Sequence, residues 1–513
     1  MNQRPALSRR RLLWRAGTFA AIVALVAPAA AQVAAPAVPP ALQTPASTQV
    51  PASPVPPAPV PVVPVPPVAP SVPLPTLGAA QRQQLAALIA DDELAQGLRL
   101  TRRTDLDSLG SEAMVRAALD HARAVHAGRL MPEDFQKDWG VRPTAYDPLP
   151  AFAEAVSRDR LSSWLRSLPP PYQGYDTLVA GLARYRAIAD KGGWNTLTAT
   201  PVFGSRGADV ARLRERLALE DPQVSPSGET FDAALLEAVR RAQRRYGLNP
   251  VGQVGAQTLA ALNVPVERRM RQIMANLERW RWLPPELDKK RVQVNIAAAV
   301  LTVFEGDEPV MSMKAVTGRP GNETPMLISK ISSIVLNPPW NVPTSIATKE
   351  LWPKEKASPG YLKRNGFRVI DTGNGGKRLQ QSSEKSALGR YKFDFPNDFA
   401  VYLHDTPARS GFSRFDRLSS HGCVRLEKPA DLARLMLRDT PEWPPETIDS
   451  TVAAGKTVRA AMATPVSVYL LYWTAFASPS GQVGFREDPY SWDARLAASV
   501  ERRSAVQVQV AAR

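Results

Sequence analysis

The chain contains one cysteine, Cys423, in the run Ser420-His421-Gly422-Cys423. Two of its four histidines, His404 and His421, lie close to it in sequence. A thiol is a strong nucleophile when a neighbouring base or cation favours the thiolate and backbone N–H groups face the developing oxyanion. A histidine can supply the first, and a glycine beside the cysteine lets the main chain turn close to a reacting carbonyl. The chemistry these residue types allow is acyl transfer through a cysteine. A lone cysteine is otherwise a small buried hydrophobe, and a single thiol excludes an internal disulfide and any thiolate-rich metal site. One Cys with two His at this spacing makes no convincing ligand set either, so neither a metal nor a cofactor is expected.

Around these residues the sequence reads as short strands. From residue 289 onward the apolar residues alternate, as in Val292, Val294 and Ile296, and in Ile328, Lys330, Ser332 and Ile334; a period of two is the mark of β-structure. Alternation through 399–404 predicts Ala400, Tyr402 and His404 on one strand face. Pro429 opens a helical pattern, whose positive end would favour a thiolate at Cys423. Residues 344–385 form a long polar insertion rich in Gly and Lys. A loop of that length inside a compact domain is functional or disordered.

The remaining chain divides by composition. Residues 1–31 read as a signal peptide, with a basic start, a short apolar stretch and Ala29-Ala30-Ala31 ahead of Gln32; Ser8-Arg9-Arg10-Arg11 also fits a twin-arginine signal. Residues 32–77 are Pro-, Ala- and Val-rich, an extended tether without a core. Residues 78–200 carry helical periodicity punctuated by prolines, with His121 and His126 placed as core or surface histidines. Residues 204–263 form a small three-helix unit with glycines at its turns, and 264–288 a connecting helix ended by Pro284-Pro285. The β-rich domain spans 289–492, and a polar tail 493–513, helical and then frayed, follows. The 513 residues carry a formal charge of +16, with a pI near 10.0. This charge suits an anionic partner, but the basic residues are scattered and no nucleic-acid module appears, so nucleic acid is not expected. No apolar stretch after the N-terminus is long enough to span a membrane.

The run His404, intervening loop, Ser420-His421-Gly422-Cys423-Val424-Arg425 resembles the signature of the L,D-transpeptidases, the YkuD-type domain that remodels peptidoglycan. The resemblance extends to Val316-Thr317-Gly318-Arg319 and Asn337-Pro338-Pro339-Trp340-Asn341, and to Thr474-Ala475-Phe476 and Asp488-Pro489-Tyr490. Residues 168–175 resemble the helical scaffold of the large Gram-negative YcbB-type enzymes. Residues 204–263 resemble the three-helix peptidoglycan-binding domain, with Pro250-Val251-Gly252 where Asp-Gly is usual. The implied fold is α+β and multidomain: a helical scaffold, a peptidoglycan-binding unit and a β-rich catalytic domain with a lid.

The implied function is an exported, periplasmic, wall-associated enzyme that forms 3→3 crosslinks through a Cys423 thioester with a tetrapeptide stem, releasing D-Ala. Carbapenem acylation of the cysteine is implied too. By the same resemblance His404 is the general base, although His421 is a second candidate. The Gly422 and Cys423 N–H groups form the oxyanion hole, shaped by His421. Arg425 orients the loop or a substrate carboxylate, and Ser420, Tyr402 and Trp340 line the substrate site. Stem peptides and glycan are the expected partners, with other wall-synthesis enzymes as further candidates. A carboxypeptidase or hydrolase on the same fold, or a non-catalytic wall-binding scaffold, are the competing expectations.

Overall fold

The computed structural model describes residues 73–511 except 374, 479 and 480. The signal peptide expected at 1–31 and nearly all of the tether expected at 32–77 lie outside the described residues. Among the described residues no helix is long and apolar enough to cross a membrane.

Five helices form the first layer: α1 (Ala79–Ala95), α2 (Ser111–Ala127), α3 (Leu149–Ser157), α4 (Leu161–Arg166) and α5 (Gln173–Asp190). Leu85, Ile89, Val115, Ala118, Phe152 and Leu165 sit on their inner faces and share one apolar cluster. His121 is buried with Nε2 at 2.8 Å from the Asp92 carboxylate, and His126 stacks on Tyr146. Three helices follow in the small unit: α6 (Ala208–Ala218), α7 (Ala233–Arg245) and α8 (Ala256–Leu262). Asp232 caps α7 by accepting the Leu235 N–H at 2.8 Å, which satisfies one orphan donor of its first turn. The unit packs on α5 through Leu213, Leu217, Leu235, Val239 and Tyr185.

Helix α9 (Val266–Trp280) is more than a connector. Met270, Ile273, Leu277 and even Asn276, Glu278 and Arg279 are buried along it. Its polar groups are matched by partners from other layers: Asn276 donates to Thr474 Oγ1 at 2.7 Å, and Arg279 meets Asp493 at 2.5 Å. Buried charge survives only when paired in this way. The helix is the spine on which the helical layers and the β-domain meet.

The β-domain runs through β1 (Lys290–Asn295), β2 (Val300–Glu305), β3 (Glu308–Gly318), β4 (Leu327–Leu336) and β5 (Trp340–Asn341). An insertion then contributes α10 (Thr344–Ile346), a π-turn (Ala347–Leu351), α11 (Trp352–Ala357), α12 (Tyr361–Arg364), β6 (Phe367–Asp371) and β7 (Lys377–Gln381). There follow β8 (Tyr391–Asp394), β9 (Leu403–His404), β10 (Leu418–Ser420), β11 (Val424–Leu426), α13 (Pro429–Leu437), α14 (Pro445–Ala453), β12 (Val458–Leu471), β13 (Ala475–Ala477), β14 (Val483–Phe485) and α15 (Trp492–Ala511). The main sheet is ordered β10-β3-β11-β9-β8-β4-β12-β1-β2, and β2 also pairs with β3, so the sheet closes on itself. Val292, Val303, Ala315, Ile334, Phe393, Leu403 and Val424 are all buried in a single core. Alternation sends their strand neighbours to the opposite face.

Two expectations are corrected by this architecture. Residues 344–385 are not a polar loop: β5, β7 and β6 pair as a small sheet, and Val342, Ala347, Leu351, Leu362 and Leu379 form a separate small core. The residues after 492 are no free tail, because Trp492, Leu496 and Val500 enter the main core, and Arg502 and Arg503 hold Asp134 at 2.8 and 2.7 Å.

Candidate active site

Strands β9 and β11 lie side by side and parallel, with Leu403 level with Val424 and His404 level with Arg425. The Val424 N–H donates to the Tyr402 carbonyl at 3.1 Å, which continues the register back to Tyr402 and Cys423. Leu403 and Val424 point into the core, so Tyr402, His404, Cys423 and Arg425 share the other face. Lys392 of β8 lies opposite His404 in the neighbouring antiparallel pair and joins them. The short strand differs from the expected one: Ala400 has φ +54°, so the extended stretch starts only beyond it.

Gly422 has φ +115°, a conformation that strains any residue with a Cβ. This turn is tied down by Thr324, whose hydroxyl donates to the Gly422 carbonyl at 2.7 Å. Ser420 is buried, and its hydroxyl donates to the Cys423 carbonyl at 2.6 Å while accepting the Gly422 N–H at 3.1 Å. Ser420, expected to line the substrate site, closes this turn, and the Gly422 N–H, expected in the oxyanion hole, meets the Ser420 hydroxyl. The Cys423 N–H has no protein acceptor among the described residues.

The Tyr402 phenol acts electrostatically on the Cys423 thiol and favours its ionised form, and Trp340 of β5 acts on the same phenol. Lys392 Nζ lies 4.5 Å from the centre of the Tyr402 ring. Burial nevertheless pushes the Cys423 thiol up; hydrogen bonds from Tyr402 and the charges of Lys392 and Arg425 offset this only in part. The expected help from a helix is absent, because β11 separates Cys423 from α13. The free site therefore holds a thiol, and a proton acceptor is needed. Tyr402→Phe should lower the alkylation rate of Cys423 by iodoacetamide at neutral pH by about tenfold, the worth of one hydrogen bond to a charged sulfur. An unchanged rate in a stopped time course would remove the phenol from this role.

His404 is 5% exposed, and its Nδ1 contacts the Asp405 carbonyl. Burial, joined by the Arg425 charge, pushes the imidazole down to about 3, although the Asp405 and Leu388 carbonyls favour a protonated ring. The unfolded histidine titrates near 6.5. Between these values the unfolded chain binds a proton that the folded one refuses, so stability is full above about pH 6.5 and falls as the pH drops toward 3. Urea titrations across this window should show wild type losing stability relative to His404→Gln by up to about 1.4 kcal/mol per pH unit. Parallel curves would mean that His404 is charged in the fold.

His421 is turned toward the insertion. Its Nε2 lies 2.6 Å from a carboxylate oxygen of Glu350, in the π-turn, and 3.3 Å from the guanidinium of Arg319. Arg425 makes no hydrogen bond to protein among the described residues, and burial pushes its guanidinium down. Glu350 and Lys392 carried no sequence signal of their own, being ordinary surface residue types away from Cys423 in the chain, and Arg319 was marked only as the last residue of the Val316–Arg319 run. A groove of about 600 Å³ lies elsewhere: Arg390, Tyr391, Asp405, Arg409 and Glu427 line it, and Cys423 does not.

The fold and the thiol–imidazole face belong to one class. Residues 289–468 match the YkuD family, described as an L,D-transpeptidase catalytic domain. Residues 77–182 match the "Scaffold domain" and 206–262 the "Putative peptidoglycan binding domain". A Haemophilus influenzae protein named "Putative L,D-transpeptidase" is 33% identical over 221 residues, covering 40% of this chain and 44% of that protein. The chain thus spans less than half the length of that curated relative. Among solved structures, an L,D-transpeptidase from Mycobacterium smegmatis aligns at 15% identity and a TM-score of 0.20, over 36% of this chain and 58% of that one. One from Stackebrandtia nassauensis aligns at 16% identity and 0.22, over 54% and 97%. Overlaps at these scores carry no argument. The chain carries an L,D-transpeptidase catalytic domain of the YkuD family, joined to a helical scaffold and a peptidoglycan-binding domain.

Proposed function

We propose that this protein is an exported, periplasmic enzyme that joins peptidoglycan stems by 3→3 crosslinks through a thioester on Cys423. The observation that carries this reading is the common face of Tyr402, His404, Cys423 and Arg425 within the matched catalytic domain. Cys423 attacks the carbonyl ahead of the terminal D-Ala of a tetrapeptide stem. Its proton passes to His404 and then to the departing D-Ala amine, leaving the acyl group on sulfur. The Cys423 N–H faces the oxyanion. A side-chain amine of a second stem resolves the thioester.

The weak basicity of His404 in the free site fits this scheme. Burial holds the imidazole down first, with the Arg425 charge second and Lys392 adding to it; a donor carboxylate pairing with Arg425 would relieve the second of these. Donor binding would then raise the basicity of His404 in part, at the moment it is needed. The insertion, which supplies Glu350 and pairs through β7 with the strand that carries Trp340, acts as the lid, and the small helical unit (204–263) holds the enzyme on glycan.

The test is incubation with diaminopimelate-containing disaccharide tetrapeptides, with products and Cys423 peptides analysed by mass spectrometry. A dimer lacking one D-Ala and a transient adduct on Cys423 are expected. Tripeptide without dimer would make the protein a carboxypeptidase, and an unmodified Cys423 under turnover would remove the thioester.

A further inference from the structure

The two histidines of the site are held in different ways. His404 is almost fully buried, its Nδ1 faces a main-chain carbonyl, and burial keeps it neutral. His421 is 26% exposed on its side chain, and its Nε2 meets the carboxylate of Glu350 at 2.6 Å. The carboxylate is only an acceptor, so Nε2 carries the hydrogen and Nδ1 the lone pair. Nδ1 has no protein partner among the described residues. Arg319, 3.3 Å from Nε2 and 3.9 Å from Glu350, cannot donate to a nitrogen that is itself donating; its charge acts on the carboxylate. Glu350 sits in a π-turn at Ala347–Leu351, an irregularity often found at functional positions. A carboxylate behind an imidazole fixes its tautomer and stabilises the imidazolium that forms during proton transfer.

We propose that Glu350 is a positioning residue that holds His421 as proton acceptor for the second half of the reaction, so that transfer to a primary amine requires the insertion to be seated on the site. This rests on the reading of Cys423 as the acyl carrier. The neutral amine attacks the thioester carbonyl, the C–N bond forms and the C–S bond breaks. The surplus amine proton goes to His421 Nδ1, and His421 delivers it to the departing Cys423 sulfur. Thioester and amine become amide and thiol with no other reactant. The two half-reactions use different bases: His404, buried beneath the donor, and His421, open to the acceptor.

The experiment uses the full-length protein and separates the halves. A tetrapeptide with its side-chain amine acetylated serves as donor, and the unblocked tetrapeptide, mixed in afterwards, as acceptor. Mass spectrometry follows the Cys423 adduct and the amide product. Glu350→Gln, which keeps an acceptor but loses the charge, should form the adduct within about twofold of the wild-type rate. Its kcat for amide formation should fall by about tenfold or more, with the acceptor KM unchanged. His421→Gln should lose amide formation at least as strongly, and the double variant should be no slower in that step than the worse single one. Amide formation at the wild-type rate in Glu350→Gln would overturn the proposal. So would an equal loss in both halves, which would make the contact purely structural, or additive losses in the double variant. A wild-type protein that forms no Cys423 adduct would instead remove the acyl carrier beneath it.

Discussion

Replacing Cys423 with serine should abolish the adduct and lower donor turnover by about ten-thousand-fold, the scale seen when a nucleophile is removed and only binding and oxyanion contacts remain. A serine hydroxyl is a far weaker acid than a thiol, and the site offers it no strong base: burial and Arg425 leave His404 well below the usual imidazole range. The Tyr402 phenol can steady a thiolate but cannot ionise a hydroxyl. The exchange should leave the fold intact, since serine is close in size and Cys423 is only partly buried. A melting temperature within a few degrees of wild type would establish that the loss is chemical. Residual turnover at wild-type levels would take Cys423 out of the reaction.

The sequence made the strands around this cysteine readable because their inward residues alternate. Val292, Val294 and Ile296 are all fully buried, and the pattern that marks them is local. Residues 399–404 were harder. Their alternation was real from Tyr402 to His404, but Ala400 adopts positive φ, and nothing in its type announces that. The insertion misled for a related reason. Its core needs only a few aliphatic residues, such as Leu351, Leu362 and Leu379, so its composition stays polar and resembles that of a loop.

The thiol differs for another reason: the sequence shows a nearby histidine and a helix start but not the burial that raises the thiol. Contacts across the site were invisible in the same way. Trp340 with Tyr402, and Glu350 with His421, join residues far apart in the chain through the insertion's path, which no periodicity encodes. Helix α9 was legible as a helix. That it is a spine depends on partners such as Thr474 and Asp493, which lie near the other end of the chain.

One such long-range assembly sets the position of the peptidoglycan-binding domain. Glu220, at the end of α6, is buried and accepts hydrogen bonds from Tyr185 of the scaffold and from Tyr246, and from Arg216 at 2.7 Å. Arg245 stands 3.8 Å away, and all three of its guanidinium nitrogens are buried without hydrogen bonds. Phe485 of β14 packs on Tyr185 and Tyr246 at 5.5 and 6.2 Å, so the cluster also touches the catalytic domain. Burial opposes the Glu220 charge, but Arg216 and Arg245 override it and pull the carboxyl down to about 2. Its stabilising contribution is therefore present above about pH 4.5 and is lost as the pH falls toward 2.

Glu220→Ala would leave the buried Arg216 guanidinium without its anion and Arg245 with Asp221 alone, 3.8 Å away. Removing one partner of such a buried set costs about 3–5 kcal/mol, and that loss should appear as a lower urea midpoint. Loosening of the small domain should then reduce turnover on intact sacculi more than on soluble tetrapeptides, because the domain could no longer hold the site against the glycan. A variant with unchanged stability would mean that Arg216 and Arg245 find other partners. Equal losses on both substrates would mean that the small domain does not guide the catalytic site.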